Sequence, residues 1–291
     1  MALRVKPTSA NFWRVSLSGS LILFATAIML PRISAAAVNR ALWVANGTNV
    51  LEFGPGSLLT SGINGNPPRL TLNSATGFGA PEGVVFSSTK DLWVIDGGTT
   101  FTGGTIVPAL DEFTPAQLGS LEANPTPAPN VALTSSALVF PQRAVFDTAG
   151  NLWVSDYGAG AVYVFTTAQL AAGGAQTPTV TITSSPAFTG PAGIVFGANG
   201  NLWIANLSTS TLFEFNAASL PQPTTVASVT LTPDVILSDD GNNSIQGPSA
   251  LAFDSARLRH ESESCNPALP TVPAEASATP AEPGATTLEL R

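Results

Sequence analysis

Few residues in this sequence could do acid–base, nucleophilic or metal chemistry, and most of those that could recur at fixed spacing. One histidine, His260, and one cysteine, Cys265, lie toward the C-terminal end. A single thiol forms no internal disulfide and no thiolate metal cluster, and both residues read as solvated positions in a polar tail. Asp239 and Asp240 in LSDDGNNS are adjacent acids, which fit an acidic loop or a loop holding a cation. Asn46, Asp96, Asp156 and Asn206 each stand three residues after a tryptophan. At such a recurrent place a carboxylate or carboxamide bonds its own backbone in the turn that ends a strand. The chain holds no G-x-S-x-G elbow, P-loop, dinucleotide fingerprint or zincin motif. General acid–base work needs converging carboxylates, and the sequence shows no such pair confined to one place.

The elements that must position these residues form a repeat. The stretch GPAGIVFGANGNLWIAN (Gly190 to Asn206) recurs as APEGVVFSSTKDLWVID from Ala80 and FPQRAVFDTAGNLWVSD from Phe140, with a fragment, NRALWVAN, from Asn39. Pro81, Pro141 and Pro191 each stand twelve residues before Trp93, Trp153 and Trp203, and Trp43 opens the series at spacings of 50, 60 and 50. After each tryptophan comes a second apolar run: VLEF, LDEF, VYVF and LFEF. A variable loop follows, then a last extended run: RLTLN from Arg69, NVALT from Asn130, TVTIT from Thr179 and SVTLT from Ser228. Gly-Asn at 150–151 and 200–201 fits a tight reversal where positive φ is cheap. Four short strands per unit at this period predict an all-β fold, a β-propeller of four-stranded blades with about four recognisable blades. A tryptophan on the second strand of each blade fills the gap to the next sheet; the other reading of Trp43, Trp93, Trp153 and Trp203 is an aromatic ligand cage.

The units fall near 39–80, 81–140, 141–190 and 191–247. A fifth copy begins at GPSALAFDSA, with Pro248 and Phe253 in register, and then fails, because His260 stands where a tryptophan is due. The first unit has a tryptophan strand but no convincing strand before it. Residues 248–254 are therefore expected to close the ring beside the Trp43 strand, or else the propeller is truncated and open. From 257 to 291 a Pro/Ala/Glu-rich stretch without apolar periodicity is expected to be disordered.

With LWVID, LWVSD and LWIAN after P-x-x-φ-φ-F (φ apolar), the sequence resembles the NHL-repeat propellers. It is also similar to the wider superfamily that includes gluconolactonase-like enzymes and streptogramin lyase-like propellers. The resemblance covers about Asn39 to Ala256 and is specific for architecture. For lactonases of that superfamily it implies a divalent cation in the central channel, held by one Glu and several Asn/Asp from different blades. Here it points to Glu82 with Asn46, Asp96, Asp156 and Asn206, an oxygen set suited to Ca²⁺ or Mg²⁺. A lyase-like site would want a histidine with a glutamate, and His260 lies past the last recognisable strand.

Composition bounds the remaining classes. Of 291 residues 44% are hydrophobic and 10% charged, with a formal net charge of −8. No basic stripe is present, which argues against nucleic acid as a partner. Arg4, Lys6 and Arg14 precede the apolar run Leu21 to Leu30 and the small residues ISAAA, the pattern of an export signal over 1–37. The run is short for a stable span; an uncleaved N-terminal anchor is the alternative. The sequence thus predicts a secreted or periplasmic propeller, a scaffold or binding module for a protein, peptide or glycan, with no cofactor. A metal-dependent lactone hydrolase or lyase and a nonfunctional propeller fragment are the other two readings.

Overall fold

The computed structural model describes residues 41–55, 67–242 and 244–253. The expected export segment at 1–37 and the tail at 257–291, with His260 and Cys265, lie outside those residues.

Each repeat folds into one antiparallel sheet. Blade one holds β1 (Leu42–Asn46), β2 (Asn49–Phe53) and β3 (Leu70–Leu72), in that order. Blade two holds β4 (Pro81–Phe86), β5 (Leu92–Asp96), β6 (Ala109–Phe113) and β7 (Val131–Thr134). Blade three holds β8 (Pro141–Phe146), β9 (Leu152–Asp156), β10 (Ala161–Phe165) and, after the short β11 (Gly174–Ala175), β12 (Val180–Ser184). Blade four holds β13 (Pro191–Phe196), β14 (Leu202–Asn206), β15 (Thr211–Phe215) and, after β16 (Ala227–Leu231), β17 (Val235–Ser238). The first strands succeed one another around a common axis, β4 beside β8 and β8 beside β13, and the tryptophan strand β1 lies beside β4. The fold is an all-β propeller of four blades.

The strand period of two sends alternate residues to opposite neighbours. In blade three Leu152, Val154 and Phe165 pack toward blade two, with Ile95, Leu110 and Leu133. Trp153, Val164 and Ile182 pack toward blade four, with Leu202, Ile204 and Phe215. A third layer joins blades one and two through Leu72, Leu92, Val94 and Phe113. Flanked on both sides, every residue of β9 and β10 is buried. Each repeat tryptophan meets, edge to face, the phenylalanine that ends the next first strand. The pairs are Trp43–Phe86 at 6.3 Å, Trp93–Phe146 at 6.4 Å, Trp153–Phe196 at 5.4 Å and Trp203–Phe253 at 6.2 Å between centroids. This geometry uses the ring for packing.

The structure departs from the sequence reading in two ways. The run SVTLT does not close blade four. As β16 it pairs in parallel with β12 of blade three, and VILS, as β17, closes blade four. This is a regular device: β11 pairs in parallel with β7 of blade two, and Asn73 and Ala75 donate to the carbonyls of Pro125 and Pro127. Each blade from the second onward thus sends the connection before its last strand back over the outer strand of the preceding blade, as a strap.

The loop read as variable holds a one-turn helix in two blades, α1 (Pro115–Gly119) and α2 (Thr167–Ala172). Thr114 with Gln117, and Thr166 with Gln169, form capping boxes that satisfy the first amides.

For ring closure the sequence left two outcomes, a ring closed by 248–254 or an open arc. Residues 248–253 take the place of a first strand beside blade four, where a Cβ on Gly193 would lie 2.9 Å from the Cα of Ala250. Yet β1 is hydrogen-bonded to β2 alone, and no ladder joins 248–253 to it, so among the described residues the arc is open.

Candidate functional site

The polar residue ending each second strand is a lock between the two strands of the first hairpin. Asp96 is 1% exposed and accepts from the amides of Gly79 (2.8 Å), Ala80 (2.7 Å) and Gly98 (2.9 Å). Asp156, fully buried, accepts from Val139 (2.8 Å), Phe140 (2.9 Å) and Ala159 (2.9 Å). Asn206 accepts from Thr189 at 2.7 Å and donates to Thr209 at 2.7 Å. Asn46, at the open end, is exposed and donates to Asn49, at 3.2 Å. The bonds to Gly98 and Ala159 are the expected turn bonds. Those to residues 16 or 17 positions upstream fasten the entry of the first strand, where Pro81, Pro141 and Pro191 sit opposite the lock residue. Proline suits that place because it opens the strand and has no amide to leave unpaired.

Blade two alone adds further charge around its lock. Asp111 on β6 is 3% exposed, and burial, reinforced by the nearby Asp96, pushes its carboxyl up to about 7. Glu82 on β4 is also raised by burial, with Arg143 opposing and Asp96 adding to the shift. Arg143, from blade three, reaches across Gly83 and donates to the carbonyls of Glu82 and, at 2.8 Å, Gln142. Its own pKa is lowered by burial, with Glu82 opposing. This set corrects the expectation that no blade carries a converging group of its own. Two signals were present in the sequence. Asp111 stands where blades one, three and four have Leu51, Tyr163 and Phe213, and Arg143 stands where blades two and four have Gly83 and Gly193.

Of the residues named for a cation, Glu82 and Asp96 lie close enough to influence one another, while Asp156 and Asn206 serve as locks in their own blades. Among the described residues no group of three or more His, Cys, Asp or Glu has metal-holding geometry. Asp239 and Asp240 are bound within their own loop, accepting from Ser244 and Asn242, at 2.9 and 2.8 Å.

The opposite rim, at the turns between first and second strands, carries two adjoining grooves. One, of about 450 Å³ between blades two and three, is lined by Ser87, Asp91, Trp93, Glu112, Asp147 and Thr167. The other, of about 340 Å³ between blades three and four, is lined by Asp147, Asn151, Trp153, Phe196, Leu220 and Pro223. The turn at 147–149 is a wall of both. Asp147 is held there by bonds from the amides of Ala149 and Asn151 and from the Trp153 indole.

No protein-family model and no curated protein sequence matches this chain. Solved structures do resemble it. Virginiamycin B lyase from Staphylococcus aureus is 12% identical with a TM-score of 0.44, over 74% of this chain and 56% of that one. A streptogramin B lyase is 16% identical with a TM-score of 0.32, over 52% and 44%. A protein of unknown function from Bacteroides caccae is 10% identical with a TM-score of 0.41, over 70% and 64%. The chain spans a little over half the length of the staphylococcal lyase. Among the described residues no helix is long and apolar enough to cross a membrane.

Proposed function

We propose that this chain is an exported, non-catalytic binding propeller that seats an extended peptide along the two adjoining grooves. One observation carries the reading: the grooves share the wall at 147–149, so one ligand can run from blade two to blade four without leaving them. Asp91, Glu112 and Asp147 give the first groove an acidic wall, and Trp93 and Trp153 give each groove an aromatic edge. Lysine or arginine in the ligand complements such an acidic wall through charge. Peptide arrays graded in basic content test the reading, with tryptophan fluorescence as readout. Saturable binding to basic peptides, weakened at least about tenfold by Glu112→Lys, is expected; no binding to any member sinks it. Export is part of the same proposal: protein recovered outside the cytoplasm is expected to begin near Ala36 or Val38.

A second reading rests on blade two. A nearly buried Asp111 beside Asp96, with Glu82 and Arg143 at the neighbouring first strands, is the kind of group a hydrolase or lyase uses for proton transfer. Turnover of an aldonolactone with added divalent cation, lost in Glu82→Gln, would replace the binding module with that reading.

A further inference from the structure

Three contacts recur at the blade-to-blade junctions. First strands run side by side; a tryptophan meets the next phenylalanine; and a strap from the later blade lies on the outer strand of the earlier one.

The two ends of the arc hold unmatched halves of this junction. At the last end, residues 248–253 occupy a first-strand place and Phe253 packs on Trp203, but Phe253 stays 54% exposed. Among the described residues the outer strand β17 there carries no strap, and Val235, Ile236 and Leu237 are 36%, 45% and 43% exposed. At the first end, β1 lacks a first-strand partner among the described residues, and Leu42 is 49% exposed. What one end offers, the other lacks, yet within one chain the two do not pair.

We propose that a second copy of this chain supplies the match, so that two four-bladed arcs close into one ring of eight blades. Residues 248–253 of each copy form the first strand of the other copy's blade one. The register of blade two, in which Pro81, Val84 and Phe86 face Asp96, Val94 and Leu92, places Pro248, Leu251 and Phe253 opposite Asn46, Val44 and Leu42. The contact joins two different surfaces, and such a contact gives a closed ring only when its rotation returns after a whole number of copies, here proposed to be two. Eight blades lie at the upper end of the usual propeller range. Closure covers the edge of β1 left unpaired among the described residues, the kind of edge through which open sheets aggregate.

Mixing tests the pairing. In a Cys265→Ser background, Val44→Cys is placed in one chain and Leu251→Cys in another, and the two are combined under oxidation. A disulfide-linked heterodimer is expected, with the unmodified 29.7 kDa chain sedimenting at about twice that mass near 10 μM. Phe253→Asp and Leu42→Asp, at exposed positions on opposite ends, should each weaken association at least about tenfold. Val226→Asp, at a position 77% exposed away from both ends, should not. A monomer at that concentration overturns the proposal. So does a disulfide that forms only when both cysteines share one chain, or an open-ended series of larger species.

Discussion

At the scale of single residues, the same side-chain chemistry does different work in each blade. Asp156 accepts from three partly buried amides, so Asp156→Ala leaves them without this acceptor and should cost on the order of 1–3 kcal/mol. Asp156→Asn keeps one acceptor oxygen, as Asn206 does in blade four, and should cost clearly less; urea denaturation of both variants checks the order. Asp111 differs because it has close carboxylate company and almost no solvent. Its pKa in the folded chain, about 7, lies above the ordinary carboxylate value, so the folded chain keeps a proton that the unfolded chain has released. Stability should therefore fall as pH rises from about 4 to about 7, and stay low above that. The raised carboxyls of Glu82 and Asp156 act in the same direction. Asp111→Asn should flatten much of the slope and stabilise the chain at pH 8 by an amount on the order of 2–4 kcal/mol. Equal denaturation midpoints for the parent chain at pH 5 and pH 8 would rule this out. The importance of Asp111 was present in the sequence only as a break in a register otherwise held by Leu51, Tyr163 and Phe213. A pattern of recurrence selects what repeats, so the residues that depart from the repeat were passed over.

At the scale of elements, first and second strands were legible, and RLTLN, NVALT and TVTIT close their blades as read; only the run at SVTLT was misplaced. The first hairpin states its own geometry: proline at the start, glycine in the turn, tryptophan and lock residue on the return. Gly150 and Gly200 take φ of 85° and 81°, and in blade two Lys90 takes the same place at 73°. A side chain there is strained, so Lys90→Gly should raise stability by about 1 kcal/mol, read as a shift in the denaturation midpoint. The runs VTITS and ASVTL both alternate as strands, but alternation does not say which neighbour a strand will find. The first closes blade three and the second straps over it, a choice made by backbone pairing between distant segments. The short helices were readable through T-x-x-Q, a signal easily missed beside the stronger strand pattern. Packing between blades also grades the tryptophans. Trp153 is 3% exposed between two complete blades, and Trp153→Ala should cost about 3–5 kcal/mol. Trp43, half-buried in a three-stranded blade, should cost less when cut to alanine.

At the scale of the whole molecule, the chain behaves as a short one-dimensional array, because among the described residues the main contacts of each blade are with its neighbours in sequence. Stability in such an array is close to a sum of unit and interface contributions, and units flanked on both sides gain two interfaces where terminal ones gain one. Burial follows this order. β9 and β10 are buried throughout, β1 has exposed residues at both ends, and all four residues of β17 are exposed. Local opening should therefore be easiest at the two ends and hardest in blade three. Amide hydrogen exchange on the Leu42→Asp variant, chosen so that association does not protect the ends, should show slowest exchange in β9 and β10. Blade two should come next, and β1 and β17 should exchange fastest. In the parent chain at a concentration that favours the ring, protection should rise selectively in β1, β17 and 248–253, with blade three unchanged. Uniform protection along the variant chain would mean that the blades unfold as one unit, and the nearest-neighbour account of this fold would have to be abandoned.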